Sequence, residues 1–307
     1  MYKIADLSAE QQIDFVKETF LQALKNELHL HSVFAPLFVK KATGINDDLN
    51  GIEKPVSFTT LDTKETYEIV HSLAKWKRMR LQELEVPAYE GIVTRMTAIR
   101  PDELLTELHS VLVDQWDWEI AIQPADRTIE FLKTVVKRIY GCIKATEQKV
   151  SEQFPGIVPS LPEEITFLYA KDLYREYPGK TPKEREDILA RKYGAIFLIG
   201  IGGDLGGGEA HDGRAPDYDD WSLNGDIVLW HPVLQRAFEV SSMGIRVDAE
   251  ALQSQLKIRG LEQREELSFH RSLLEGKLPQ TIGGGIGQSR LAMFILKKEH
   301  IGQVQYC

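Results

Sequence analysis

Residues 110–119 read SVLVDQWDWE, and their side chains alternate between two surfaces. Trp116 and Trp118 share one surface, which predicts packing in a core. The opposite surface carries an amide and two carboxylates, those of Gln115, Asp117 and Glu119. This alternation is typical of a β-strand with one buried face. The polar face is consistent either with contact with water or with a binding site, and its neighbours decide between the two.

The remaining predicted elements indicate an α+β fold. Further strands are expected at residues 66–70, 92–98, 165–169, 195–199 and 226–230. Helices are expected from Ser8 onward, over residues 127–150, and from Thr181 to a C-cap at Gly194. Because strands and helices do not alternate regularly, we predict a large, mainly antiparallel sheet flanked by helices. Residues 33–39 also resemble a strand, and Pro36 within it favours a sheet edge or an interface.

Composition restricts the classes of function. The chain has 307 residues, with 37 Lys and Arg against 46 Asp and Glu, and its net charge is −9. This balance argues against broad nucleic-acid binding, which needs a basic face. No apolar run is long enough to span a bilayer, and the first residues, MYKIADLSAEQQ, have no apolar signal core.

Cysteine content and chain organisation add two expectations. Cys142 and Cys307 lie far apart, so we expect no structural disulfide and a cytoplasmic location. The sequence shows no internal repeat, low-complexity tract or linker. We therefore expect one domain over residues 1–307.

Two polar segments near the end of the chain suggest a nucleotide site. One is EVSSMGIR at residues 239–246, and the other is GGGIGQSR at residues 283–290. Glycines such as Gly285 and Gly287 let the backbone approach a ligand, and a helix start supplies free N–H donors. Arg290 can direct a fixed cation at phosphates. The glycine run does not fit a dinucleotide fingerprint and is not followed by a phosphate-loop lysine.

Several charged segments have two interpretations each. Residues 75–78, KWKR, are typical of a helix face in water. Residues 100–103, RPDE, suit a surface turn or a phosphate clamp. Residues 214–221, RAPDYDDW, suit an acidic loop or a site for ammonium or a metal. Asp226 and Glu239, on neighbouring predicted strands, could hold Mg²⁺ against phosphates or could form salt bridges.

Together, these segments resemble the ammonia-dependent asparagine synthetases, the aspartate–ammonia ligase family. The matching stretches are HSLAKWKR at 71–78, RPDE at 100–103, HSVLVDQWDWE at 109–119, HDGRAPDYDDW at 211–221, LNGDIVLW at 223–230, SSMGIRVD at 241–248 and PQTIGGGIGQSRL at 279–291. They cover nearly the whole chain and are specific as a set. The resemblance implies the catalytic-domain fold of class II aspartyl- and asparaginyl-tRNA synthetases, working as a homodimer.

The resemblance also implies where the class II motifs fall. A helix over residues 15–28 and the strand at residues 33–36 are similar to the first motif, which forms the dimer interface. Arg100 and Glu103 carry the second motif, and the glycine run with Arg290 carries the third. Family members use ATP to form a β-aspartyl adenylate and pyrophosphate, and ammonia then displaces AMP.

For the nucleotide, the resemblance implies that Arg100 neutralises charge on the α-phosphate and that Arg290 holds the outer phosphates. Mg²⁺ would lie on Asp226 and Glu239. The implied nucleotide-binding residues are Glu103, Gly285, Gly287 and Arg290.

For the other substrates, the resemblance implies that Lys77 and Arg246 read the aspartate side chain. Asp47 would hold ammonium and accept its proton, and Gln115 would orient the acyl phosphate. The implied aspartate-binding residues are Ser72, Lys77, Asp117, Asp219, Ser242 and Arg246.

Two other functions are compatible with such a chain. A stand-alone aminoacylating relative would carry an anticodon-binding barrel or a basic face, and the sequence predicts neither. A non-catalytic regulatory paralogue would typically lose motif arginines, whereas Arg100, Arg246 and Arg290 are all present. We therefore predict an AMP-forming ligase in which these three guanidinium groups meet in one cleft.

Overall fold

The computed structural model describes residues 3–47, 49 and 53–306 of the chain. Cys307 lies outside them. The helices are α1 Leu7–Leu28, α2 Ala74–Glu83, α3 Ile129–Gln153, α4 Ala170–Glu176, α5 Pro182–Tyr193, α6 Ala249–Arg259, α7 Ser268–Leu274 and α8 Gln288–Ile295. The strands are β1 Leu30–Ser32, β2 Phe38–Lys40, β3 Ser57–Thr59, β4 Thr66–Ile69, β5 Gly91–Ile99, β6 Leu112–Ala121, β7 Thr166–Tyr169, β8 Ala195–Ile199, β9 Asp219–His231, β10 Arg236–Arg246 and β11 Thr281–Gly287.

In the described part of the chain, eight strands form one sheet in the order β1-β5-β6-β11-β10-β9-β8-β7. The pairings from β5 through to β8 are antiparallel, and the two outermost pairings, β1 with β5 and β7 with β8, are parallel. The mainly antiparallel sheet that the sequence predicts is therefore confirmed. A second sheet, β2-β4-β3, is small and antiparallel.

One face of the large sheet packs against α1, α3 and α8 to form the main core. Trp116 and Trp118 are fully buried there, and the ring of Trp116 lies 4.8 Å from that of Phe20 on α1. The predicted alternation of β6 is confirmed, because its two faces have different neighbours. The polar side chains of β6 lie on the opposite face of the sheet.

The helix starts follow capping chemistry. On α5, Thr181 and Glu184 form the predicted capping box, and Gly194 ends the helix with φ near 77°. For α1 the expected start at Ser8 is wrong, because Asp6 is the N-cap and its carboxylate accepts the N–H of Ala9. Among the described helices, none has both the length and the apolar character that crossing a membrane requires.

Two strand predictions need correction. Residues 33–39 are not one strand: β1 ends at Ser32 and β2 begins at Phe38, with Pro36 between them because proline has no N–H for a ladder. Strand β9 begins at Asp219, seven residues before the predicted start at Asp226. The acidic segment predicted as a loop therefore runs partly along a strand.

Candidate active site

The polar face of β6 lies directly against the glycine run. Strand β11 pairs with β6 so that Gly283 is opposite Glu119 and Gly285 is opposite Asp117. A Cβ at position 283 would lie 1.9 Å from Glu119 Oε2, and one at 285 would lie 2.5 Å from the Gln115 amide oxygen. The run is therefore a strand whose missing side chains make room for those of β6. The glycine run is thus a strand, not a loop, and Gly285 and Gly287 line a cavity beside it.

Helix α2 brings its basic residues to this face. The expectation that residues 75–78 lie in water is wrong, because Lys75, Lys77 and Arg78 are all buried. Lys77 Nζ donates to Asp117 Oδ1 at 2.5 Å and to the carbonyl oxygens of Trp118 and Gly284 at 3.0 Å. All three ammonium protons are thus used, which makes burial of the charge tolerable.

Arg246 is the centre of the network. Its Nε and Nη2 donate to the two oxygens of Glu119 at 2.9 and 2.7 Å, and its Nη1 donates to Asp219 Oδ1 at 2.5 Å. All three side chains are at most 2% exposed. Burial opposes the charge of Arg246, but Glu119 and Asp219 outweigh burial and raise its pKa.

The two carboxylates of the network are held differently. Burial acts to raise the pKa of Glu119, but the charge and hydrogen bonds of Arg246, together with the charge of Lys77, lower the pKa overall. For Asp219 burial wins over Arg246, and its pKa is raised. The surroundings of Glu119 therefore favour its ionised form, which balances the charge of Arg246.

A cavity of about 80 Å³ opens onto this network, and we call it the aspartate pocket. It is lined by every residue that the family resemblance assigns to binding or activating the amino acid. These are Asp47, Ser72, Lys77, Arg100, Gln115, Asp117, Asp219, Ser242 and Arg246. The volume suits a small polar molecule.

A larger cavity of about 390 Å³ adjoins it, and we call it the nucleotide cavity. It brings together the predicted nucleotide residues Arg100, Glu103, Gly285, Gly287 and Arg290, and also Glu239. Among the described residues, six line both cavities: Leu49, Arg100, Gln115, Tyr218, Ser242 and Gly285. The three motif arginines therefore open onto one continuous cleft, with Arg100 at the junction.

Arg100 and Arg290, in the nucleotide cavity, make fewer hydrogen bonds than Arg246. Arg100 Nη2 donates to the carbonyl oxygen of His71 at 3.2 Å, and Arg290 Nη1 donates to the carbonyl oxygen of Glu239 at 3.2 Å. Arg290 Nη1 also lies 3.9 Å from Glu239 Oε1. Within the described part of the chain, the buried Nε of Arg100 has no hydrogen-bond partner.

Two carboxylates, those of Asp226 and Glu239, lie on the neighbouring strands β9 and β10. Glu239 lines the nucleotide cavity, and Asp226 is buried and accepts from Arg214 at 2.6 Å through Oδ2. Burial raises the pKa of Asp226 to about 7, with Arg214 opposing and the charge of Glu239 adding to the rise. The Oδ1 atom of Asp226 has no protein partner among the described residues. This buried oxygen and the repulsion between the carboxylates suit a divalent cation.

The protein supplies few further ligands for such a cation. In residues 3–47, 49 and 53–306 no group of three or more His, Cys, Asp or Glu side chains is arranged to hold a metal ion. A cation on Asp226 and Glu239 would complete its coordination with phosphate and water oxygens, which is how Mg²⁺ is commonly bound.

Sequence reasoning missed several cavity residues. Lys183, at the start of α5, and Arg214 both line the nucleotide cavity. Arg214 belongs to a segment read only for its acids, and Lys183 was read only as part of a helix start. His109 also lines the cavity, and burial, followed by the charge of Arg290, lowers its pKa to about 4. Glu119 was placed on the correct face, but its pairing with Arg246 was not foreseen.

Comparison with known sequences gives consistent matches. A family model described as aspartate-ammonia ligase matches residues 7–307. The chain is 54% identical over 306 residues to the aspartate–ammonia ligase of Parabacteroides distasonis, with 96% of this chain and 89% of the relative covered. It is 52% identical over 307 residues to that of Bacillus cytotoxicus, with 99% and 94% covered.

Solved structures with a similar fold are tRNA synthetases. Asparaginyl-tRNA synthetase from Pyrococcus horikoshii, complexed with asparaginyl-adenylate, gives a TM-score of 0.70 at 16% identity, covering 97% of this chain and 68% of that one. Aspartyl-tRNA synthetase from Entamoeba histolytica gives 0.65 at 14% identity, covering 97% and 58%. These matches confirm the predicted fold class.

Proposed function

We infer the roles of the site residues from one premise: this chain belongs to the aspartate–ammonia ligase family and makes asparagine from aspartate, ammonia and ATP. These roles rest mainly on one observation: Arg100 and Gln115 line both the aspartate pocket and the nucleotide cavity, so the two cavities are continuous. Aspartate in the smaller cavity and ATP in the larger one would lie end to end. The β-carboxylate would then face the α-phosphate at the junction.

We assign recognition of aspartate to the buried network. Arg246 has five N–H groups, and three point at Glu119 and Asp219, which leaves two for the substrate carboxylate. Lys77 adds a second positive charge nearby. Asp117, Asp219 and Ser72 would bind the α-ammonium group. Asparagine would be disfavoured because its neutral amide cannot replace a carboxylate between two cations.

We assign formation of the β-aspartyl adenylate to the junction. A carboxylate oxygen of aspartate attacks the α-phosphorus, and the bond to the bridging oxygen of pyrophosphate breaks. Arg100 would neutralise the charge that builds on the α-phosphate, and Arg290 would hold the β- and γ-phosphates. Gln115 would orient the acyl phosphate. Glu103, Gly285 and Gly287 would contact the nucleotide, and Ser242 would line both substrates.

We propose that Asp226 and Glu239 hold Mg²⁺ in the ATP complex. The ion would supply neutralisation of phosphate charge. Arg214, which donates to Asp226, would favour the ionised form of that carboxylate and orient it. The pairing of β9 with β10 supports this proposal, because Glu239 lies opposite Val228, two residues from Asp226 along β9.

We also propose that the enzyme is a single-domain, cytoplasmic homodimer. The exposed apolar side chains of Phe34 and Leu37, which follow β1, support an interface at that edge of the large sheet. A monomeric mass by sedimentation equilibrium at micromolar concentration would contradict the dimer.

In the last step, ammonia attacks the β-carbonyl carbon of the adenylate, and AMP leaves with the electron pair of the C–O bond. Ammonium must first lose a proton to expose its lone pair. We assign this proton transfer to Asp47, whose carboxylate lines the aspartate pocket.

The variant Asp47→Asn tests whether Asp47 accepts the proton of ammonium and separates this step from adenylate formation. Asparagine formation is expected to fall about 10²- to 10³-fold, while aspartate-dependent exchange of pyrophosphate into ATP stays within about twofold. The exchange reports adenylate formation alone, so it serves as the internal control for folding. Unimpaired asparagine output from this variant would remove Asp47 from its role. AMP release that requires tRNA would instead favour an aminoacylating enzyme.

A further inference from the structure

A third cavity, of about 260 Å³, lies behind Asp47, and we call it the side chamber. Its walls include Thr43, Glu68, Asp217, Leu267 and His270. Among the described residues, Asp47 is the one that lines both the side chamber and the aspartate pocket. The residue assigned to ammonium therefore stands where the two cavities meet.

The order of the reaction requires a separate approach for ammonia. The nucleotide and aspartate occupy the two adjoining cavities when the adenylate forms. Ammonia reacts afterwards, while AMP still fills the nucleotide cavity. A path that reaches the β-carbonyl from the Asp47 side avoids that obstruction.

The side chamber has both cationic and anionic walls, and the carboxylates next to its junction with the aspartate pocket can attract a cation. The cationic walls have partners away from that junction: Lys75 and Arg264 share Asp217 Oδ2, each at 3.1 Å, and Lys40 contacts Glu65. Glu68 has looser partners, with Lys41 at 3.7 Å and the amide nitrogen of Asn46 at 3.4 Å. Glu68 and Asp47 thus form the negative side of the chamber.

Buried polar atoms indicate that the occupant is polar. Asp217 and His270 are fully buried and share a hydrogen bond of 2.9 Å between Oδ2 and Nε2. In the described part of the chain, Asp217 Oδ1 and His270 Nδ1 have no partner. Both side chains line the chamber, and a cavity of this size holds several molecules as small as water or ammonium.

We propose that the side chamber is the entry route for ammonium, with the charge of Glu68 attracting the cation towards Asp47. This inference depends on the proposed function, because it supplies the third substrate of that reaction. Glu68 acts through electrostatics and touches neither aspartate nor ATP. It is therefore a positioning residue for ammonium.

Glu68→Gln tests the electrostatic part, with Asp62→Asn as the matched control. Both changes remove one negative charge next to the small sheet, but Asp62 is exposed and does not line the chamber. Glu68→Gln is expected to raise KM for ammonium about three- to tenfold. KM for hydroxylamine, which is uncharged at neutral pH, should not change. Pyrophosphate exchange should match the parent enzyme in both variants.

Leu267→Trp tests the steric part. The larger side chain should narrow the chamber and lower kcat/KM for ammonium and for hydroxylamine alike by about tenfold. Pyrophosphate exchange should again be unchanged, because adenylate formation does not use the chamber. A Leu267→Ala variant, which widens the chamber, should retain the parent values for both amines.

The outcomes separate the two levels of inference. If Glu68→Gln and Leu267→Trp both keep the parental KM and kcat/KM for ammonium, the chamber is not the route. A variant that loses pyrophosphate exchange contradicts the independence of the chamber from the aspartate pocket. If the unmodified enzyme shows no aspartate-dependent exchange, the proposed function itself has failed.

Discussion

The aspartate pocket and the nucleotide cavity share a junction but are built in opposite ways. At the aspartate pocket, Lys77 and Arg246 are buried against Glu119. Arg246 donates to both Glu119 oxygens, and Lys77 Nζ lies 3.8 Å from Glu119 Oε2. In the nucleotide cavity, Arg290 and Glu239 are partly exposed and meet at 3.9 Å. The charged groups at the aspartate pocket neutralise one another, and we call it the closed region. In the nucleotide cavity Arg290 and Glu239 are only loosely paired and can bind a ligand, and we call it the open region.

This difference follows from the substrates. A single carboxylate must be distinguished from an amide, and a rigid set of cations does this because reorganisation is not needed on binding. The triphosphate brings several negative charges and a metal ion of its own. A cavity for it gains affinity from cations that are not already neutralised.

The largest expected effect comes from weakening the closed region. Glu119→Gln keeps the shape of the side chain but removes the charge that opposes Arg246. Because this leaves a buried guanidinium partly uncompensated, the free energy of unfolding should fall by about 3–5 kcal/mol. Urea denaturation followed by circular dichroism measures this change. A loss below about 1 kcal/mol would show that the pocket is less tightly built than its geometry indicates.

The matched change in the open region is Glu239→Gln. Its free energy of unfolding should stay within about 1 kcal/mol of the parent, because Glu239 is partly exposed and only loosely paired. Activity should fall at low Mg²⁺, with the half-saturating Mg²⁺ concentration raised about tenfold for the loss of one carboxylate ligand. Magnesium titrations of pyrophosphate exchange give this number. An unchanged Mg²⁺ requirement would remove Glu239 from the proposed metal site.

The smallest effect concerns His109 in the nucleotide cavity. Its folded-state pKa of about 4 lies below the ordinary value, so it stabilises the fold above pH 6.5 and loses this contribution as the pH falls towards 4. His109→Gln should therefore lose less stability than the parent between pH 7 and pH 5, by on the order of 1 kcal/mol. Urea unfolding at both pH values measures the difference. The exposed His31→Gln serves as control, and equal slopes in parent and His109→Gln would contradict the prediction.

The alternation of residues 110–119 and the Thr181 capping box were predictable because both depend on neighbours within a few residues. The buried state of Lys75, Lys77 and Arg78 was not. Their partners come from β6, β11 and the segments around Asp217 and Val247, far along the chain. Local sequence shows the charges, whereas only tertiary pairing shows whether water is needed to stabilise them.

The glycine run is a second case in which local sequence does not show the tertiary contacts. Glycine permits close approach, but the sequence does not say what approaches. In this fold the approaching groups are Gln115 and Glu119, side chains of the neighbouring strand. The convergence of Arg100, Arg246 and Arg290 was nevertheless predictable through the family resemblance, because the matching blocks carry their relative placement with them.

The Glu119 carboxylate fills the space that a side chain at position 283 would need. Substitutions at positions 119 and 283 are therefore expected to depend on each other. An alanine at 283 collides with the glutamate carboxylate, and a shorter acid at 119 would clear the space but draw back from Arg246. A single substitution at either position is therefore expected to lower stability or activity. In directed evolution of this pocket, useful changes at these two sites should therefore arise as simultaneous substitutions.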